Sequence, residues 1–572
     1  MIHMFAGLFV VTLALRRLLQ SLSNPRHTRR SLSEAGHMHR CFPVVPLLAV
    51  LALAACATDD VVAPVKTVKA PSFSVSVGEN PKYIVSLNGS SIPVGFAARV
   101  NSLGGTVTSA HPGAGYAVVS GLTEDAASAL AASGFGDVEP DVVVALEAPV
   151  GAIRADASDI GTASAAPDAS DIGTPSIDSQ ENPATADSVN RQWNMRLINA
   201  PAAWAAHKLG SSTVTVAILD TGIDYDLPDL NGLVDLSRSK SFMAKFAGRS
   251  DNPDTPADES DPVVPADDDI LKLGVFAGRH PITDLNGHGT NVATQVSSKA
   301  VRFAGVTSKT TLIGVKVLGA NGAGTLSTVL DGVVWAADNG ADVANMSLGG
   351  ISSKSGNGHD IGLINRAFNY AKQKGMLIVV SAGNSGIDLK HNGNQYVSYC
   401  DAPHVICVSS VGPIAGMSTT SDPLATSDPD EPAFYTNFGK NNVDVAGPGG
   451  NADVAHADAA GNLPVTIWPW GPGIASWVWS YCAKQSLIIR RNATDPKKGD
   501  LFLTTCFIRR LNNGYVGTSQ AAPHVAGLAA LLIAENGRGN PQQIKRLIQK
   551  SADPINAAYG RGRINVKNAL GL

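Results

Sequence analysis

The feature that most constrains this chain is the run from Val525 to Ala534, which is too uniformly apolar for any of its faces to meet water. A helix that is apolar all round belongs inside a large core. The residues leading into it are Gly517-Thr518-Ser519-Gln520-Ala521-Ala522-Pro523-His524. A serine at the start of a buried helix lies among unpaired backbone N–H groups and a partial positive charge. Its oxygen can attack a carbonyl, and the oxyanion that results finds donors close by. Pro523 is expected in the first turn, where a missing N–H costs little. Read alone, the segment also fits an ordinary Ser-capped core helix.

Two further segments favour chemistry. Val214–Leu219 is short, apolar and rich in β-branched residues, as a buried parallel strand should be, and it runs into Asp220-Thr221-Gly222. A carboxylate at the C-terminal end of such a strand stands where sites form in open α/β sheets. Asn286-Gly287-His288-Gly289-Thr290 opens a second apolar stretch, Val292–Val296, with a histidine at the predicted helix start. A neutral imidazole can take a serine's proton while a buried carboxylate holds its tautomer.

The set resembles the subtilisin-like serine peptidases (subtilases, peptidase S8). The resemblance is carried by VAILDTGID at Val216–Asp224, NGHGT at Asn286–Thr290, SLGG at Ser347–Gly350, SAGNSG at Ser381–Gly386 and GTSQAAPHVAG at Gly517–Gly527. The order Asp, His, Ser is that of subtilisin and differs from other triad folds. The resemblance covers about residues 191–572. It implies an α/β, three-layer subtilisin-like fold with a mainly parallel central sheet. It also implies Asp220, His288 and Ser519 as the catalytic triad of a serine endopeptidase working through an acyl-enzyme. Asn384 and the Ser519 backbone N–H would form the oxyanion hole. Losing an amide donor of this kind costs on the order of 10²–10³ in rate, a magnitude taken from subtilisin itself. Extended polypeptide substrates would pair with Ser347, Leu348, Gly349 and Gly350 on one side. Leu318, Gly319, Gly322 and Gly324 would form the other, glycine allowing two backbones to approach closely.

The chain departs from the family in places. Asn291 stands where a second histidine is common, and Gln520 where methionine usually follows the nucleophile, which removes an oxidation-prone thioether. Some relatives carry a calcium loop where Ser297–Val306 lies here, a segment with few oxygen ligands. The chemistry requires no cofactor. A structural calcium is left open, because one of two insertions, about 245–282, carries Asp251, Asp254, Asp258, Glu259, Asp261, Asp267, Asp268 and Asp269. The expectation for that run is a solvated loop. The other insertion, about 451–513, carries Trp468, Trp470, Trp477 and Trp479, read as packing a hairpin against the domain, with shaping of the cleft as the alternative.

The chain has 572 residues, 44% hydrophobic and 16% charged, enough for one large core and an accessory domain. A formal charge of −4 offers no electrostatic case for nucleic acid, and a monomer is expected. Cys400, Cys407, Cys482 and Cys506 lie in the enzyme region and allow three pairings. Proximity in sequence favours Cys400–Cys407 and Cys482–Cys506, an even set that suits an oxidising compartment; free buried thiols are the alternative.

Pro43–Ala55 is almost wholly apolar, follows His39 and Arg40, and is short for a membrane span, so it reads as the core of a signal peptide. It ends in Leu53-Ala54-Ala55-Cys56, which resembles a bacterial lipobox and makes Cys56 the lipidation candidate; ordinary signal cleavage nearby is the alternative. Residues 1–55 are thus a signal region. Met38 stands at a sensible distance for a translation start, which would make 1–37 an upstream extension. A polar tether, 56–79, follows. Residues 80–147 alternate apolar runs with a helical stretch, Thr123–Ser133, and resemble the inhibitor I9-type prodomain of subtilases. That implies a small α+β, ferredoxin-like unit that assists folding and then blocks the cleft. Residues 148–190, rich in Ala, Ser, Asp and Pro and repeating DASDIGT, are expected to be a flexible linker. The expected product is an exported, membrane-anchored lipoprotein precursor whose mature form is periplasmic or extracellular. Two other readings compete. A pepsin-like aspartic protease also uses Asp-Thr-Gly but needs a second copy, which this chain lacks. A catalytically inactive subtilase-fold surface lipoprotein would keep the fold without the chemistry.

Overall fold

The computed structural model describes residues 81–147, 181–243, 266–355, 357–391, 393–397, 399–414, 428–451 and 512–572. It also describes short stretches at 248–249, 263–264, 424, 467–468, 471–472, 478–481, 483, 486–491 and 499–504. The signal region with Cys56, the tether, most of the linker, Asp251 to Asp261, Trp470, Trp477, Cys482 and Cys506 lie outside the described residues.

The N-terminal part runs β1 (Lys82–Leu87), α1 (Phe96–Ser102), β2 (Thr106–His111), β3 (Tyr116–Ser120), α2 (Glu124–Ala131) and β4 (Gly136–Pro140). Its sheet has the order β2-β3-β1-β4, with β1 antiparallel to both β3 and β4. The strand alternation has two destinations. Tyr83, Val85 and Leu87 pack with Phe96, Val100 and Leu130 of the unit's own helices. Ile84, Tyr116 and Val118 join a second cluster, shared with helices further along the chain. Both sheet faces are therefore covered. A short strand, β5 (Val143–Ala145), then leaves this sheet.

The larger part contains β6 (Thr215–Asp220), β7 (Lys240–Ser241), α3 (His288–Val296), β8 (Thr311–Lys316), β9 (Ala323–Thr325), α4 (Leu326–Asp338), β10 (Val343–Met346) and α5 (Gly358–Gln373). It continues with β11 (Leu377–Ser381), β12 (Val405–Val411), β13 (Val445–Pro448), β14 (Val478–Tyr481), β15 (Ser486–Arg491), β16 (Gly499–Thr504), β17 (Asn512–Tyr515), α6 (Thr518–Asn536) and α7 (Pro541–Ser551). Seven strands form a wholly parallel sheet in the order β13-β12-β11-β10-β6-β8-β7. Each buried strand divides its side chains between two cores. Val216 and Ile218 join α3 and α6 through Val292, Val525 and Leu528. Ala217 and Leu219 join α4 and α5 through Val329, Val333 and Phe368. The result is helix, sheet, helix, with the sites at the strands' C-terminal ends.

Three expectations need correction. Composition assigns residues 181–190 to the linker, yet Ala186 is buried in the first core and the Ser188 N–H bonds the Arg302 carbonyl at 2.8 Å. The acidic run is not solvated throughout. Asp267 is buried and pairs with the fully buried Lys316 at 2.7 Å, whose ammonium also donates to the Thr283 carbonyl at 2.9 Å. Pro523 lies inside α6, beyond its first turn. Cys400 and Cys407 form a disulfide. In the second insertion β14 pairs antiparallel with β17, and β15 with β16. Val478 packs on Trp193 and Leu197 of the main domain.

Candidate active site

Asp220 is the last residue of β6, and His288 is the first of α3. His288 Nδ1 lies 2.8 Å from Asp220 Oδ1, and Asp220 is fully buried. The approach depends on Gly289: a Cβ there would lie 2.2 Å from the Gly222 carbonyl oxygen and 3.1 Å from Asp220 Cβ. The loop that aims the histidine is organised by Asp284. Its Oδ1 accepts from Thr221 Oγ1 (2.9 Å) and from the N–H groups of Asn286 (3.0 Å) and Gly287 (2.8 Å). Its Oδ2 accepts from the Thr290 N–H (2.9 Å) and hydroxyl (2.6 Å). Burial lowers the His288 pKa, but the charge and hydrogen bond of Asp220 and the charge of Asp284 outweigh it. The imidazole's pKa is therefore held above its ordinary 6.5.

Ser519 is the second residue of α6, which begins at Thr518, well before the apolar run. Its hydroxyl donates to the Ser347 carbonyl at 3.2 Å rather than to the histidine. Catalytic hydrogen bonds of this kind often tighten only with the reacting complex. Pro523 has no N–H to give the carbonyl four residues before it, which is that of Ser519. The Ser347 hydroxyl fills the vacancy, donating to the Ser519 carbonyl at 2.7 Å. Ser347 thus grips Ser519 through both its hydroxyl and its carbonyl. The two departures from the family meet: Gln520 Nε2 approaches Asn291 Oδ1 at 3.5 Å, which also accepts from Gln295 at 2.7 Å. They tie α6 to α3. Just after the second insertion, Tyr515 sets its ring edge-on to His288, with centroids 6.2 Å apart.

Asn384, nearly fully buried, follows β11. Its Oδ1 accepts from both the N–H and the hydroxyl of Thr518, each at 2.8 Å. That fixes which way the amide points, and its Nδ2 donates to the Glu147 carbonyl at 2.7 Å. Residues 142–147 approach this point as an added strand. The Leu326 N–H bonds the Val142 carbonyl at 2.8 Å, Val144 pairs antiparallel with Gly324, Ala145 bridges Gly349, and the Leu146 N–H bonds the Gly322 carbonyl at 2.9 Å. Asp141 accepts from the Ser327 N–H (2.9 Å) and hydroxyl (2.5 Å) at the start of α4.

The cleft residues named from sequence therefore divide. Gly322, Gly324 and Gly349 meet the added strand by backbone bonds. Gly319 closes the turn that presents β9, its N–H bonding the Ala323 carbonyl at 2.8 Å. Leu318 and Leu348 are buried with Val144 in one core. Ser347 serves Ser519. Sequence reasoning missed Asp284, Thr290, Thr518, Tyr515 and Ser347's actual partner. The Asp284-Leu285-Asn286-Gly287 stretch carries turn chemistry that marks Asp284 as a local acceptor; the others bond across the fold. In the 297–306 segment Asp229 is taken up by donors: Ser298 Oγ (2.5 Å), Arg302 N–H (3.1 Å) and Phe303 N–H (3.2 Å). Among the described residues no group of three or more His, Cys, Asp or Glu could hold a metal ion.

A model of the subtilase family matches residues 211–571. The chain is 30% identical over 374 residues to a thermophilic serine proteinase of Bacillus sp. (strain AK1), covering 64% of each chain, so the match spans under two thirds of that relative's length. It is 28% identical over 387 residues to thermitase of Thermoactinomyces vulgaris, covering 67% of this chain and 96% of thermitase. The crystal structure of the epidermin leader peptide processing serine protease of Staphylococcus aureus superposes with a TM-score of 0.54 at 21% identity, covering 86% of this chain and 99% of that one. Fervidolysin of Fervidobacterium pennivorans gives 0.51 at 20% identity, covering 88% and 64%. These structures share the fold, and the family match spans well over half of the sequence, including the histidine, aspartate, serine and asparagine described above: the chain belongs to the subtilase family of serine peptidases.

Proposed function

We propose that this subtilase is a serine endopeptidase made as a self-processing zymogen, with residues 80–147 as its inhibitory prodomain. One observation carries the reading: a segment of the chain's own backbone lies as an extra strand beside β9, with its Glu147 carbonyl on Asn384 Nδ2 at 2.7 Å. That is the position in which an amide donor stabilises a developing oxyanion. Ser519 Oγ attacks the carbonyl carbon, and His288 takes the hydroxyl proton and later gives it to the leaving amine. Asp220 holds the imidazole's tautomer and stabilises the imidazolium. Water then hydrolyses the acyl-enzyme. Free enzyme would take other extended polypeptides along the same backbone edge. The full-length chain should shorten by roughly its first quarter on incubation, and Ser519→Ala should stay intact. Equal shortening in both would refute the reading, and an intact wild type would favour an inactive binding protein of the same fold.

The N-terminal segment adds a location to this proposal. If Cys56 is lipidated, the anchor lies on the prodomain side of the cut, and maturation releases the protease from the membrane. Recovery of the mature form, free of prodomain, in the membrane fraction would contradict this.

A further inference from the structure

We propose that the zymogen is cut between Glu147 and Ala148 and that the primary specificity pocket selects a glutamate- or glutamine-length side chain. The proposal rests on reading residues 142–147 as a bound substrate. The register comes from the backbone: the carbonyl on Asn384 Nδ2 is that of Glu147, two residues beyond the Ala145–Gly349 bridge. On this reading, the bond that follows that carbonyl is the one Ser519 would attack.

The Glu147 side chain is received by the loop that carries Asn384. The Ser385 hydroxyl donates to its Oε1. Its Oε2 is buried without a hydrogen-bond partner among the described residues. Space for that oxygen exists because residue 383 is glycine: a Cβ there would lie 2.8 Å from Oε2. Gly383 also has φ +98°, a backbone conformation other residues adopt only under strain. Asn437 holds the loop in place, its Oδ1 accepting from the N–H groups of Ser385 (3.1 Å) and Ile387 (2.9 Å) and its Nδ2 donating to the Ala382 carbonyl (2.8 Å).

The pocket recognises oxygen without a counter-charge. Burial raises the Glu147 pKa, the Ser385 hydroxyl and the Asn384 backbone N–H pull it back, and the net direction is upward. No cation among the described residues contributes. A hydroxyl donor serves a carboxyl and an amide oxygen alike, so glutamine should fit at least as well as glutamate. Aspartate is one carbon too short to reach Ser385, and lysine would bury an unpaired charge. In the cleavage, the Ser519 Oγ–carbon bond forms and the Glu147–Ala148 C–N bond breaks. The serine proton passes through His288 to the Ala148 amine. Water then cleaves the ester, leaving a carboxylate on Glu147.

The test begins with the full-length chain. Mass spectrometry of the products should give a fragment ending at Glu147 and a new N-terminus at Ala148. Glu147→Gln should process at least as fast as wild type, and Glu147→Lys about 10-fold or more slowly. On a panel of peptides varied only at the residue before the scissile bond, Glu and Gln should exceed Asp, Leu and Lys in kcat/KM. Ser385→Ala should reduce the Gln-to-Leu ratio about 3- to 10-fold, as loss of one buried hydrogen bond would. A first cut elsewhere, unchanged processing of Glu147→Lys, or a preference for Leu would overturn the proposal. Labelling of Ser519 by a fluorophosphonate is measured in parallel. Labelling with cuts elsewhere sinks only this proposal; absence of both labelling and cutting sinks the endopeptidase reading with it.

Discussion

Replacing Ser347 by alanine tests how α6 tolerates a proline in its interior. Pro523 leaves the Ser519 carbonyl without its helical donor, and the Ser347 hydroxyl supplies one at 2.7 Å in a site closed to water. The same hydroxyl accepts from Asn345 Nδ2 at 2.9 Å. Ser347→Ala therefore orphans an acceptor and a donor at once, and its cost should approach the upper end of the roughly 1–3 kcal/mol expected for a buried group left unpaired. Pro523→Ala offers a remedy, because an alanine at that position has an N–H that can reach the Ser519 carbonyl in the ordinary helical bond. In that background Ser347→Ala should cost about 1 kcal/mol less, the net worth of one hydrogen bond. The effect of removing the proline itself cancels in the double-mutant cycle. The four proteins would be compared by urea unfolding in a Ser519→Ala background, which prevents self-digestion. That background spares the tested bond, since the Ser519 side chain touches the Ser347 carbonyl and not its hydroxyl. Costs that add to within about 0.3–0.5 kcal/mol would refute the argument.

Three other perturbations follow from the site and its frame. Because the His288 pKa is raised, kcat/KM on a peptide without titrating groups should fall as pH drops through a midpoint above 6.5, where the base becomes charged. Asp284→Asn should move that midpoint down, and a wild-type midpoint at or below 6.5 would contradict the assignment. Lys316→Met leaves the buried Asp267 carboxylate alone and should cost about 3–5 kcal/mol, whereas adding Asp267→Leu should recover most of it; a double variant no more stable than the single would count against the ion pair. Gln520→Met places a thioether beside Ser519, so hydrogen peroxide should inactivate that variant faster than wild type, and equal rates would argue otherwise.

How much was legible varied with the range of the interaction. The apolar run Val214–Leu219 became β6 with a shift of one residue, because a strand buried on both faces shows its burial in every side chain. The polar sequence Thr106–His111 carries no such mark and became β2 through pairing with β3. Asp267 looked like one of many solvated carboxylates until β8 brought Lys316 beneath it. Pro523 looked like a first-turn residue because the sequence does not reveal how far α6 extends before its apolar stretch. Gln520 and Asn291 were two separate departures, and only the packing of α3 on α6 made them neighbours.

By itself, the sequence determined that Asp220, His288, Asn384 and Ser519 sit at the ends of apolar segments, in a subtilase's order. Local composition suffices for that, because strand burial and helix starts are written in adjacent residues. Only the tertiary structure decided which atoms meet: Asp284 as the organiser of the histidine loop, Thr518 as the orienter of the Asn384 amide, Ser347 as the donor that Pro523 makes necessary, and Glu147 as the residue whose carbonyl faces that amide. Each is a hydrogen bond set by angle and by tenths of an ångström. All but the Asp284 turn join residues far apart along the chain, whose proximity no local pattern encodes.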